Sequence, residues 1–292
     1  MSYRIAAVSF LNAIPLVEWF TAADHPEVAL ERALPSLLPG KLMRGEADGA
    51  LLPVVEIFRG DCRLLGGTGI AGRGAVDSVK LFVRAQRQRS LDMRSLSDLT
   101  HIGVDRGSRT SVALLRILLS ESGVPCPGFV EVQPRPGRSL EPSEGMLVIG
   151  DRCFEFDRWR REDPRGADVL AVDLGQAWFD FTGLPFVFAA WAAAPAFAQS
   201  AGPERVDALA DLLTRAREYG IAHLDEIVAR EAAAGRLGCD GRATADALDR
   251  YFRTSLRFRL GPEELAGMEC FRGLCIKHGL VATGPGTGET AA

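Results

Sequence analysis

Short apolar runs alternate with one-sided helical stripes along most of this chain, and the alternation predicts strands followed by helices. Tyr3 to Phe10 is apolar and short enough for a buried strand. LNAIPLVEWF then puts Leu16, Trp19 and Phe20 on one helical face, with Asn12 placed to cap the helix and Pro15 in its first turn, where a missing N–H costs little. Leu38, Leu42 and Met43 predict a short helix ended by Gly45. Gly49 to Leu52 predicts a buried strand, and Pro53 starts a helical turn over Val54 to Phe58. This order predicts an α/β chain with a largely parallel sheet. The glycines of GGTGIAGRGAV predict turns, and Val76 to Arg84 predicts an extended segment.

The junction His101 to Leu119, HIGVDRGSRTSVALLRILL, is the most informative. Ile102 and Val104 predict a strand, Gly107 breaks it, and Val112, Leu115 and Leu119 restart as a helical stripe beside Leu114 and Leu118. At the break stand Ser108, Arg109, Thr110 and Ser111. A helix start leaves backbone N–H groups unpaired and carries partial positive charge, so this junction is a candidate cradle for a carboxylate or phosphate. Plain capping by Ser108, with Arg109 a solvated surface charge, is the competing reading.

Further strands are predicted at Met146 to Ile149, ending in Gly150-Asp151-Arg152, and at Asp168 to Leu174. Helices are predicted at Pro203 to Tyr219, His223 to Ala234, Ala243 to Thr254 and Pro262 to His278. The organisation expected is two lobes, residues 1–86 with 190–292 and residues 87–189. The chain would cross near residues 86 and 190, and the C-terminal helices would pack on the first lobe. Residues 283–292 have nothing to bury and are expected to be a disordered tail. In such folds ligands sit beyond the carboxyl ends of strands. The ends at Phe10–Leu11–Asn12, Leu52–Pro53, Gly107–Ser108 and Gly150–Asp151 would then face one cleft.

Composition narrows the function classes. With 47% hydrophobic and 25% charged residues and a net charge of −4 over 292 residues, the chain reads as an ordinary globular protein with a large core. No basic tract beyond the short WRRED segment points to nucleic acid. No apolar run approaches the roughly 20 residues of a membrane span, so no membrane role is expected. MSYRIAAVSFLNAIP lacks a small-residue cleavage site and reads as a strand, which makes a cytoplasmic location the expectation. Six cysteines without a CxxC pair read as buried thiols, and four dispersed histidines complete no ligand spacing, so no metal is expected.

VSFLNAIPL, GEADGALLPVVE, GSRTSVALLRILL, LVIGDR, DLGQAWFDFTGLPFVFAAW and YFRTSLRFRLGPEELAGMECF together resemble, in order and spacing, the chorismate dehydratases of the futalosine route to menaquinone. The resemblance covers roughly residues 4 to 280. It implies a two-lobe α/β fold similar to type II periplasmic binding proteins, with a central cleft and two hinge crossings that close on the ligand. It implies chorismate as the small-molecule substrate, losing water to give 3-[(1-carboxyvinyl)oxy]benzoate, with no metal and no redox cofactor.

Residue by residue, Asn12 matches the family's catalytic Asn. An amide is no strong base, so it would orient the leaving hydroxyl or the substrate's own enolpyruvyl carboxylate, which takes the proton. Ser108, Arg109, Thr110 and Ser111 match the family's SRTS and are assigned to a substrate carboxylate, with Arg109 alternatively bracing the lobe. Ser78 either adds a hydroxyl or is a buried strand serine. Asp151 is either a catalytic general acid or the cap of the next helix. Phe186, Phe188 and Trp191 either line the cleft or belong to the core. Phe10 stands where Tyr is common in the family, and Ala13-Ile14 replace more polar residues. The sibling 1,4-dihydroxy-6-naphthoate synthases carry a His-Glu pair where this chain has Gly150-Asp151. A non-catalytic cytosolic binding protein for an aromatic carboxylate is the rival from another class.

Overall fold

The computed structural model describes residues 2–22, 25–84, 93–105, 107–137, 140, 144–237 and 241–282. The chain begins β1 (Tyr3–Val8), α1 (Ile14–Ala22), β2 (Val28–Ala33), α2 (Leu38–Met43), β3 (Gly49–Pro53), α3 (Val54–Arg59), β4 (Arg63–Gly72). It continues β5 (Val79–Arg84), β6 (His101–Val104), α4 (Arg109–Glu121), β7 (Gly128–Glu131), β8 (Glu144–Ile149), α5 (Arg152–Glu162), β9 (Val169–Asp173) and α6 (Leu174–Thr182). It ends β10 (Phe186–Ala193), α7 (Pro195–Ala201), α8 (Pro203–Ala222), α9 (Leu224–Ala233), α10 (Gly241–Arg250), β11 (Arg257–Arg259) and α11 (Pro262–Lys277).

Two sheets result. The first is ordered β11-β4-β10-β3-β1-β2, and the second β7-β6-β8-β5-β9. Every residue of β3 is buried, as its unbroken apolar run requires of a strand covered on both faces. Each sheet is mixed, not largely parallel. β1 pairs in parallel with β2 and β3, and β6 with β7 and β8, while β10, β4, β11, β5 and β9 pair antiparallel. The antiparallel set includes the strands on either side of each crossing between the sheets.

Of the glycines expected to mark turns, Gly66, Gly67, Gly69 and Gly72 lie instead inside β4, the longest strand, while Gly74 does bend the chain just beyond it, with φ +93°. A Cβ on Gly69 would sit 2.5 Å from the Ala189 carbonyl oxygen, so glycine there permits the close approach of β10, whose register shifts at Val187/Ala189. The crossings also fall earlier than expected. Residue 86 lies outside the described residues, but β5 before it already pairs with β8 and β9, so the chain leaves the first sheet over residues 73–78. It returns over residues 183–185, because Ala190 is already paired with Leu52 and Gly69 of the first sheet. Asp173 ties the first crossing down: its carboxylate accepts from the N–H groups of Val76 and Asp77 while capping α6 through Gly175 and Gln176.

Beside the second crossing, Trp178, Phe186 and Phe271 meet edge-on with centroids 4.8–5.9 Å apart. All three are fully buried, each contributing on the order of 2–3 kcal/mol of transfer free energy. Phe186 and Trp191 are therefore core residues. α8 packs on α1 and β4, as the C-terminal helices were expected to do, whereas α11 reaches β10, α3 and α4. Cys153 and Cys275 are buried, Cys126 is exposed, and Cys239 and the tail 283–292 lie outside the described residues. Among the described residues no helix is long and apolar enough to cross a membrane.

Candidate active site

The carboxyl ends of β1, β3, β6 and β8 converge on one cleft between the sheets. It is lined by Phe10, Asn12, Pro53, Ser78, Thr110 and Ser111, with Gly107, Gly150 and Phe188 completing its walls. Its empty space is about 610 Å³ including the open mouth. The lining is mostly apolar, with a few polar groups from both sheets.

Asn12 lies in a single turn of 3₁₀-helix, Leu11–Ala13, before α1. It does not cap α1. Its Oδ1 is buried without a hydrogen-bond partner, on a residue that lines the cleft. Ser108 does not itself line the cleft: it is buried, 2% exposed, between the lining residues Gly107 and Thr110, and its hydroxyl has no partner and makes no capping bond to α4. Neither side chain therefore makes the capping bond that the sequence allowed. A buried polar group costs roughly 1–3 kcal/mol when left unpaired, so such groups call for an explanation. The first turn of α4, with Thr110 and Ser111 on the wall, adds N–H groups and the positive end of a 13-residue helix. Thr110 Oγ1 accepts from the Val55 N–H at 3.4 Å, which joins that wall to α3.

Two further assigned residues stand elsewhere. Arg109 does not line the cleft: its guanidinium turns to the buried carboxylate of Glu56, 3.3 Å away, which also takes Arg59 at 2.7 Å. The bracing alternative for Arg109 is the one realised: it adds a second, longer ion pair to the buried Glu56 carboxylate that Arg59 already holds. Asp151 neither lines the cleft nor caps α5. Its Oδ1 accepts from the Leu11 N–H at 3.0 Å, reaching across to the turn that carries Asn12. Burial pushes its carboxyl above the usual range, although that N–H works in the other direction. The neighbouring Gly150 has φ +66°, and a Cβ there would meet the Phe10 ring at 3.2 Å. Glycine thus lets the two walls touch at this point.

Ser78 sits at the end of the first crossing, buried and lining the cleft. Behind it stands a residue without a role in the sequence reading, Tyr251, which opens a turn of π-helix over Tyr251–Ser255. Its phenol is buried without a hydrogen-bond partner, and burial holds its proton well above the usual phenol range. The only local signal was a tyrosine inside an otherwise apolar helical stripe. Among the described residues, no group of three or more His, Cys, Asp or Glu is placed to hold a metal ion.

Comparison with known proteins adds three findings. A family described as menaquinone biosynthesis matches residues 3–277. The chorismate dehydratase of Thermus thermophilus is 30% identical over 252 residues, covering 82% of this chain and 83% of that one. Among solved structures, a protein of Archaeoglobus fulgidus superposes with a TM-score of 0.67 at 14% identity, over 96% of this chain and 98% of its own. The periplasmic aliphatic sulphonate binding protein of Escherichia coli superposes with a TM-score of 0.61, also at 14% identity, over 97% and 89%. These last two likenesses concern the fold, which is that of the periplasmic binding proteins.

Proposed function

The chain belongs to the menaquinone biosynthesis family, and from that premise we propose that it is a hydro-lyase that converts chorismate to 3-[(1-carboxyvinyl)oxy]benzoate. The observation that carries this reading is Asn12, with a buried and unpartnered Oδ1, lining one apolar cleft together with Thr110 and Ser111 of the first turn of α4. Chorismate needs two separated polar seats, since it carries one carboxylate on the ring and one on the enolpyruvyl arm. The first turn of α4, with Ser108, Thr110 and Ser111, seats one carboxylate by hydroxyl and amide donors at a positive helix end. Phe10 and Phe188 face the flat ring.

The elimination balances without a redox partner, because the hydrogen on C3 and the hydroxyl on C4 leave together as water and the ring becomes aromatic. Asn12 donates its amide N–H to the departing C4 hydroxyl. The C3 proton passes to the substrate's own enolpyruvyl carboxylate, since no amide serves as a base. Ser78 offers a second hydroxyl to the substrate. Asp151 acts one step back, holding the Leu11 N–H and so the turn that aims Asn12. A consumer of chorismate works where chorismate is made, which assigns this protein to the cytoplasm.

Incubating the purified protein with chorismate tests the reading. Loss of the diene absorbance, with a product lighter by one water in the mass spectrum, is the expected result. Chorismate that binds and is recovered unchanged overturns the enzyme reading in favour of a binding protein.

A further inference from the structure

The first crossing delivers Ser78 to the cleft through a strained turn. Asp77, just before it, has φ +62° and is one of two residues other than glycine with a left-handed backbone among the described residues. The Ser78 N–H reaches back over Asp77 to the Val76 carbonyl at 2.7 Å, closing a turn of three residues. A turn that short, closed about a positive φ, is rare and strained. Such backbone persists only where its surroundings over-determine it, and it gathers at sites of function.

Here the surroundings grip the turn from several directions. Asp173 accepts from the N–H groups of Val76 and Asp77, and the Ser78 carbonyl accepts from the Gly150 N–H at 2.8 Å. The Asp77 carboxylate is held at both oxygens: Oδ1 takes Lys80 Nζ at 3.0 Å, and Oδ2 takes Ser255 Oγ at 3.0 Å. Lys80 belongs to β5 of the second sheet, whereas Ser255 ends the π-helical turn that leads into β11 of the first. The Asp77 side chain therefore spans the point where the chain changes sheets. Val79, on the far side of Ser78, is already paired with Ile149. Ser78, 3% exposed and lining the cleft, is the one residue between that strand and the clamped turn.

We propose that Asp77 is a positioning residue for Ser78: its carboxylate, held by Lys80 and Ser255, keeps the strained turn that directs the Ser78 hydroxyl into the cleft. The proposal rests on the chorismate reading above, in which that hydroxyl meets the substrate. It is tested by a double-mutant cycle on D77G and S78A, with chorismate as substrate and a thermal melt on each variant. Glycine accepts the positive φ without strain but lacks the carboxylate, so D77G frees the turn. It is expected to lower kcat about 10-fold, with KM moving by less than about 3-fold. Added to S78A, the same change is expected to cost less than about 2-fold, because the group it positions is gone. Wild-type kcat in D77G, or an equal loss with and without the Ser78 hydroxyl, overturns the proposal. Should D77G fail to fold, S255A removes one grip and leaves the backbone intact. Its expected loss in kcat is about 3-fold, again absent on the S78A background, and a loss that persists there overturns the proposal. If the wild-type protein itself leaves chorismate unchanged, the reaction assignment fails separately. Crystal structures then decide the positioning alone: Ser78 Oγ moved by about 1 Å or more in the variant supports it, and an unmoved Oγ overturns it.

Discussion

Around Lys80, in the second sheet, the buried charges are paired. Its Nζ donates to Asp157 Oδ2 at 2.6 Å and to Asp77 Oδ1 at 3.0 Å, while Arg160 completes Asp157 and Ser255 completes Asp77. Burial opposes the lysine's charge, yet the two carboxylates outweigh it and hold its pKa above the ordinary value. At and beside the adjoining cleft the pattern reverses. Asn12 Oδ1, Ser108 Oγ and Tyr251 Oη are just as buried and have no partner in the protein. Folding satisfies the first cluster by itself; the second is left for a ligand to satisfy, at a standing cost to stability.

The sharpest way to break this contrast is to remove one member from each side. N12A is expected to lower kcat by about 10²–10³-fold, as the loss of a preorganised donor does, while the melting temperature stays level or rises because an unpaired buried group has gone. Losing turnover and stability together would put Asn12 with the structural cluster. K80A is expected to do the reverse in kind: it leaves Asp157 to Arg160 alone and Asp77 to Ser255, and a urea melt is expected to show a loss of about 1–3 kcal/mol with turnover less affected.

Asp151 stands between the two classes, and pH resolves it. Its folded-state carboxyl titrates above the ordinary value of 3.8. The stability supplied by its neutral form is thus complete below about pH 4 and is lost as pH rises through the folded value. D151N keeps an acceptor for Leu11 and cannot ionise, so its melting temperature is expected to gain on the wild type as the pH is raised from about 4 to 7. A constant difference across that range would place the burial effect elsewhere. The smallest effect belongs to Arg109. Its half-exposed ion pair with Glu56 is expected to be worth no more than about 1 kcal/mol, and R109A is expected to leave KM within about 3-fold of wild type.

Strands β1, β3, β5, β6, β8 and β9, most of the helices and the convergence of Asn12, Ser78, Thr110 and Ser111 were legible in the sequence. Apolar periodicity and the strand–glycine–hydroxyl junction are local, and strand ends in such folds share one edge. What was not legible depended on partners distant in sequence. The glycines of β4 read as turns because the approach of β10 is invisible locally. Arg109 read as a ligand because its partner, Glu56, comes from another helix. Asp151 read as a general acid or a cap because Leu11 lies 140 residues away. The expected crossing near residue 86 failed in the same way, since only the pairing of β5 with β8 and β9 reveals its sheet.

Everything here depends on facing walls whose unpartnered groups await one small dicarboxylic ring. A crystal structure with bound 3-[(1-carboxyvinyl)oxy]benzoate tests that directly. One carboxylate is predicted within about 3 Å of the Ser108 hydroxyl or the Thr110 and Ser111 amides, with the Asn12 amide at a similar distance from the opposite side of the ligand. A product seated elsewhere, or one that leaves Asn12 Oδ1 and Ser108 Oγ as solitary as before, would contradict it.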